Sequence, residues 1–256
     1  MDGPVVDPDP IEALAAEQRE LVALVGAATS AALLQPSRCP GWSASDVLLH
    51  LAQTNEMAIA SAAGALTDFV VRAADGMAPG GSIDDWAGYL VDKQRTTPGE
   101  ARDRYVASTE AQVGALRAVD PSARLRWVAG ELAARTLAST RLSETWIHHV
   151  DVAVAFGTEP EPTDRLWHVA RLAWRTLPYA FERAGEPAPG AVAFVLDAPG
   201  GSTWTFGDPG SDPTVVTGTA LDLCTVAGQR TPRRPSTLRA EGPAADAVLR
   251  LVRTFA

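Results

Sequence analysis

A long stretch of helical text runs from about Glu131 to Phe156 and stops at Gly157, a natural C-cap residue. At 1.5 Å per residue such a helix spans ~39 Å, which suits the spine of a bundle. A helix of that kind buries its apolar side against other helices, and the text upstream offers them. Leu14, Leu21, Leu24 and Val25 recur at helical spacing in a first helix from Ile11 to about Leu34. SRCPGW then breaks the chain. Ser43 follows as an N-cap with Asp46 three residues later, the S-x-x-D form of a capping box, and Trp42 with Val47 is a candidate hydrophobic staple. The second helix carries Val47, Leu48, Leu51 and Met57 on its apolar side and reaches roughly to Val71. GMAPGGS at 76–82 is a loop, shorter helices cover 83–95 and 98–118, and 121–130 is irregular.

The pattern changes after Gly157. EPEPT is a linker, with Thr163 placed to cap another helix that runs through Arg183. Short β-like runs follow at 191–197, 202–207 and 214–218, punctuated by Gly and Pro. Helical text returns at 219–229, a short strand is expected near 237–241, and a last helix covers 243–255. The organisation is therefore a disordered lead at 1–10, an all-helical region at 11–158 and an α+β region at 159–256, mainly α as a fold class.

Composition narrows the functions. Of 256 residues 46% are apolar and 21% charged, as in ordinary soluble globular proteins. A net charge of −9 with no basic stripe argues against nucleic acid as a partner. RTPRR at 230–234 is the one dense basic patch, and it reads as a solvated loop. Cys39 and Cys224 lie too far apart and are too few for a secreted disulfide framework. MDGPVVDPDP has no basic region before an apolar core, so it is no secretory signal, and no run of about 18 apolar residues offers a membrane span. By elimination the expected location is the cytoplasm.

The chain has only four histidines, His50, His148, His149 and His168. Glu144 and His148 stand four apart on the long helix, so they share one face, one turn apart. His50 stands on a different helix whose start the capping box fixes. Bundles build metal sites from inward-facing residues on separate helices. Two His with one carboxylate is a catalytic zinc set that leaves positions open, and a non-haem iron set as well. Spacing alone also fits a surface Glu–His pair and a core histidine.

A family resemblance adds to this reading. CPGWSASDVLLHLA at 39–52 resembles the first signature of the mycothiol-dependent maleylpyruvate isomerase family, within the DinB-like metal-binding superfamily. ARTLASTRLSETWIHHVDVAVAFG at 134–157 resembles its second signature. The resemblance implies a DinB-like four-helix bundle followed by a small α+β domain. It also implies one divalent metal, zinc first, on His50, Glu144 and His148. The run GSTWTFGDPG…VTGTALDLCTVAGQR is similar to a narrower actinobacterial subgroup described only as metal-binding. Isomerase relatives end the corresponding helix in Gly-Arg, with the Arg meeting an anionic substrate. Here the text is Gly228-Gln229-Arg230, which makes Arg230 the candidate for that contact.

The other candidates have simpler readings beside the functional ones. His149 points about 100° away from its neighbour and reads as packing or exposed. Asp151, three after His148, either orients the ligand imidazole or pairs with an arginine. Asp46 is explained by the capping box. Cys39 reads as structural, Cys224 as core, and His168 beside Trp167 as packing; neither thiol has a His or Lys next to it in sequence. Three functions stay open. The first, implied by the resemblance, is a metal-dependent isomerase or S-transferase that uses mycothiol as cosubstrate on an electrophilic small molecule. The second is a metal enzyme without a thiol, a hydrolase, lyase or isomerase. The third is a non-enzymatic metal-binding protein. The sequence carries no signal for oligomeric state.

Overall fold

The computed structural model describes residues 9–76, 82–128, 130–209, 213–230 and 236–254. The chain divides into two compact units, Met1–Pro160 and Glu161–Ala256. Residues 1–8 of the lead expected at 1–10, and most of the GMAPGGS loop, lie outside the described residues.

The first unit is mainly helical, and several of its helices start on polar side-chain caps. Helix α1 (Pro10–Gly26) takes Asp9 as N-cap, whose carboxylate accepts the Ile11 N–H at 2.8 Å, so the helix claims the last residues of the expected lead. It ends eight residues before Leu34. Thr29 starts a separate short helix, α2 (Ser30–Leu33), by accepting the Ala32 N–H. Helix α3 (Ala44–Ala62) begins on the expected capping box. The Ser43 N–H donates to Asp46 Oδ2 at 2.9 Å and the Asp46 N–H donates to Ser43 Oγ at 3.2 Å. It stops short of Val71 because Gly64 turns to φ +72°, after which α4 (Leu66–Ala73) starts anew. Helices α5 (Ile83–Gln94) and α6 (Pro98–Arg117) fall where the spacing put them, each on its own capping box.

The largest departure lies before the long helix. Residues expected to be irregular, together with the first three of the expected helix, form an antiparallel hairpin of β1 (Arg124–Trp127) and β2 (Gly130–Ala133). Leu125 and Trp127 are buried while Arg124 and Arg126 are exposed, the alternation of a strand with one covered face. Helix α7 (Ala134–Ala153) therefore starts three residues later than Glu131, and its last stretch tightens to a 3-10 turn at Val154–Phe156 before Gly157 closes it at φ +65°.

Helix α1 packs on α6 and α7, and α3 packs on the same two, which makes a four-helix bundle. Two large apolar clusters lie in its core, beside a small one of Leu49, Val91 and Ala101. One holds Leu14, Met57, Leu116, Leu137 and Leu142; the other holds Leu21, Leu48, Leu51, Tyr105 and Val152. Many of the buried polar residues fall between the two, among them Glu17 and Gln18 on α1 and Ser108, Thr109 and Gln112 on α6. Gln18 donates to Gln112 at 2.8 Å, Asn55 donates to Ser108 at 3.0 Å, and Arg141 donates to Thr54 at 2.8 Å. Such groups stay buried at tolerable cost only when hydrogen-bonded to one another. The stretch of α7 that faces this polar layer carries Glu144, His148 and Asp151.

In the second unit, α8 (Leu166–Ala184) follows Arg165; Thr163 contributes only its carbonyl, to the Leu166 N–H, and is not the side-chain cap the sequence suggested. Strands β3 (Val192–Asp197), β4 (Thr203–Phe206), β5 (Thr214–Thr219) and β6 (Arg239–Glu241) form one sheet in the order β4-β3-β5-β6, with β3 and β5 parallel and the outer pairs antiparallel. Helix α9 (Ala220–Ala227) follows β5 on a Thr219 cap, and α10 (Ala245–Leu251) is shorter than the 243–255 expected. Among the described residues no helix is long and apolar enough to cross a membrane.

Candidate metal centre

The capping box fixes where α3 begins, and His50 lies two turns in. Glu144 and His148 lie one turn apart on α7. The two helices bring the three side chains together with 8%, 7% and 9% of their surface exposed. Glu144 Oε1 stands 2.9 Å from His50 Nε2 and 3.6 Å from His148 Nε2. One donor atom from each residue lies within 4.8 Å of the other two. The two imidazoles meet edge to face, with centroids 5.0 Å apart.

The far side of His148 is also held. Its Nδ1 lies 3.0 Å from Asp151 Oδ2, and Asp151 is fully buried. A carboxylate there keeps the proton on Nδ1 and turns Nε2 toward Glu144. The Cys39 thiol donates to the same Oδ2 at 3.2 Å. Cys39 belongs to the SRCPGW turn, and the Arg38 N–H of that turn donates to the Asp151 carbonyl at 3.1 Å. The same turn sets the Trp42 ring 5.3 Å from the His50 ring. Gly41, at φ +80°, supplies the left-handed residue the turn requires.

Charge in the site is set by burial and by neighbours. Burial holds His50 below the usual imidazole range, in spite of its bond to Glu144. For His148, burial pulls down, but Asp151, Cys39 and Glu144 together hold it well above that range. For Glu144, burial pushes up, but the two histidines and the nearby guanidinium of Arg141 hold it well below the carboxylate range. Arg141 is 1% exposed and also donates to Asn55 at 3.2 Å, so its charge stays fixed one turn before Glu144.

The donor set suits a divalent ion: one carboxylate kept ionised, one imidazole kept neutral and a second pinned from behind. All three offer borderline-to-hard donors to one point, as a tetrahedral or octahedral cation with open positions requires. Arg141, the Cys39–Asp151 bond and the Trp42–His50 contact escaped the sequence reading, because each depends on tertiary placement. Glu17 escaped it as well. His149, expected to pack or be exposed, is buried, and its Nδ1 lies 2.7 Å from Glu17 Oε1 across α1 and α7. With Glu20 these residues form another group of closely spaced donors.

The remaining candidates belong to the second unit. His168 is buried edge to face with Trp167, at 5.2 Å. Cys224 is fully buried; burial pushes its thiol up, away from reactivity. Arg230 donates to the Gly228 carbonyl at 3.0 Å, just after Gln229 at φ +58°. The rest of the basic patch lies outside the described residues.

Comparisons with known proteins agree with this architecture. A family described as the mycothiol maleylpyruvate isomerase N-terminal domain matches residues 14–153, more than half of the chain. Uncharacterised proteins from two strains of Mycobacterium tuberculosis are 31% identical over 255 residues, covering 98% of this chain and 97% of theirs. The crystal structure of the mycothiol-dependent maleylpyruvate isomerase is similar with a TM-score of 0.57 at 19% identity, covering 92% of this chain and 94% of that one. A histidine-to-alanine mutant of it gives 0.58 over the same shares. At that identity the likeness speaks for the fold.

Proposed function

We propose that this chain, which belongs to the mycothiol maleylpyruvate isomerase N-terminal domain family, is an enzyme that holds one divalent cation, zinc first, on His50, Glu144 and His148 and works with a thiol cosubstrate, mycothiol, on an electrophilic small molecule. The observation that carries this reading is the convergence of three donor atoms within 4.8 Å, buried on two helices of the bundle.

A divalent cation in such a site supplies Lewis acidity and brings a thiol or water to its anionic form near neutral pH. The chain's own residues prepare that site. The two histidines, with Arg141 behind them, keep Glu144 ionised. Asp151 keeps a proton on His148 Nδ1 and leaves Nε2 free to donate its lone pair. Burial excludes bulk water, which strengthens every charge interaction there. In the reaction a thiolate adds to an electrophilic carbon of the substrate and a double bond becomes single. Rotation about that bond and loss of the thiolate return the isomer. Where the thiolate is not lost, the same addition makes an S-transferase. Arg230 is the candidate for charge recognition of an acidic substrate.

The test is an assay of zinc-loaded protein with and without mycothiol on acids such as maleylpyruvate. Turnover that needs both zinc and thiol is the expected result. Turnover without thiol that a chelator abolishes points instead to a thiol-independent metal enzyme. Zinc binding with no turnover on any electrophile points to a metal-binding protein.

A further inference from the structure

We propose that Cys39 is a positioning residue for the metal centre: its thiol, through Asp151, holds His148 in the orientation that presents Nε2 to the ion. This rests on the reading of His50, Glu144 and His148 as ligands. Asp151 Oδ2 accepts from two directions at once, from the His148 ring nitrogen Nδ1 at 3.0 Å and from Cys39 Sγ at 3.2 Å. The thiol sulfur also lies 3.8 Å from Nδ1, so it packs against the ring edge as well as against the carboxylate. An oxygen held by two donors has less freedom to swing than one held by the imidazole alone, and the imidazole inherits that restraint.

The turn that carries Cys39 is itself anchored. The Ser37 N–H donates to the Trp42 carbonyl at 2.9 Å, the Cys39 N–H donates to Ser37 Oγ at 3.1 Å, and the Arg38 N–H donates to the Asp151 carbonyl at 3.1 Å. The backbone and side chain of Asp151 are thus both tied to one short turn. Trp42, at the end of that turn, meets the ring of His50. One turn ahead of α3 therefore steadies the histidines of two different helices. This gives CPGW a job beyond starting a helix, and it explains a partly exposed thiol whose bonded partner is a fully buried carboxylate.

Outer-sphere partners of ligand histidines are typically worth about ten- to a hundred-fold in metal affinity. The test compares wild type, Cys39→Ala, Cys39→Ser and, as a control that removes the link itself, Asp151→Asn. Two readouts are taken: cobalt affinity with its visible ligand-field spectrum, and the NMR signal of the His148 Nδ1 proton in metal-free protein. Cys39→Ala should weaken cobalt binding about ten-fold or more, change the cobalt spectrum and speed exchange of that proton. Cys39→Ser, whose hydroxyl still donates, should recover part of each. Cys39→Ala with wild-type affinity, spectrum and proton exchange overturns the inference. So does a loss of thermal stability alone, because a merely structural cysteine leaves the spectrum and the proton unmoved. If wild type binds no cobalt, the metal reading fails by itself, and the proton exchange still decides whether Cys39 holds His148.

Discussion

At the scale of single residues, the centre depends on where protons sit. His148 is held well above the usual imidazole range by Asp151, Cys39 and Glu144 against the pull of burial. Its contribution to the stability of metal-free protein is therefore full below an ordinary imidazole value of about 6.5 and lost as pH rises through the raised one. On the proposed ligation a metal would take the Nε2 proton's place, so apparent affinity should climb as pH rises through that same region. Calorimetry of zinc binding near neutral pH, in two buffers of different ionisation enthalpy, should show net proton release. Heats that do not depend on the buffer would contradict the assignment of His148 as a ligand. Glu144, held well below the carboxylate range, stays ionised across this window and adds no proton of its own. Away from the ligands, Glu17 and His149 form a buried pair at 2.7 Å. His149→Leu leaves that carboxylate buried and unpartnered by the imidazole. It should cost about 1–3 kcal/mol or more in urea unfolding, and Glu17→Leu in the same chain should recover part of the loss.

At the scale of elements, local chemistry was legible and tertiary chemistry was not. The capping box at Ser43 and Asp46 could be read because its partners stand three residues apart, and it places His50 correctly. The i,i+4 spacing of Glu144 and His148 survived a helix start that was wrong by three residues, because both lie deep inside α7. The hairpin before α7 was missed: its strands have four residues each, too few for alternation to stand out from helical text. Helix α3 was drawn too long because Gly64 sits in text that is otherwise continuous. Its φ of +72° ends the helix there, and Gly64→Ala should destabilise the protein by about 1 kcal/mol in denaturant unfolding. A neutral effect would mean that the turn relaxes without a left-handed residue. Arg141, Glu17 and Cys39 find their partners across the bundle or across more than a hundred positions in sequence, and no periodicity reports such pairings.

At the scale of the whole molecule, the bundle is a scaffold with a polar layer between two apolar ends. The apolar ends supply the driving force of burial, while the layer holds polar groups that would be costly unless paired. A metal held in that layer, as proposed, would bind the folded unit and not the unfolded chain. Free zinc at a hundred times its dissociation constant should therefore add about 2.7 kcal/mol to the stability of the helical unit. Scanning calorimetry should show this as an upward shift of that unit's transition, reversed by a chelator. The most direct measurement of the proposed metal centre is anomalous diffraction at the zinc edge from crystals of zinc-loaded protein. One strong peak is expected about 2 Å from His50 Nε2, from His148 Nε2 and from a Glu144 carboxylate oxygen. A peak elsewhere, on Glu17, Glu20 and His149 for example, or no ordered zinc at all in crystals grown with a molar excess, would contradict it.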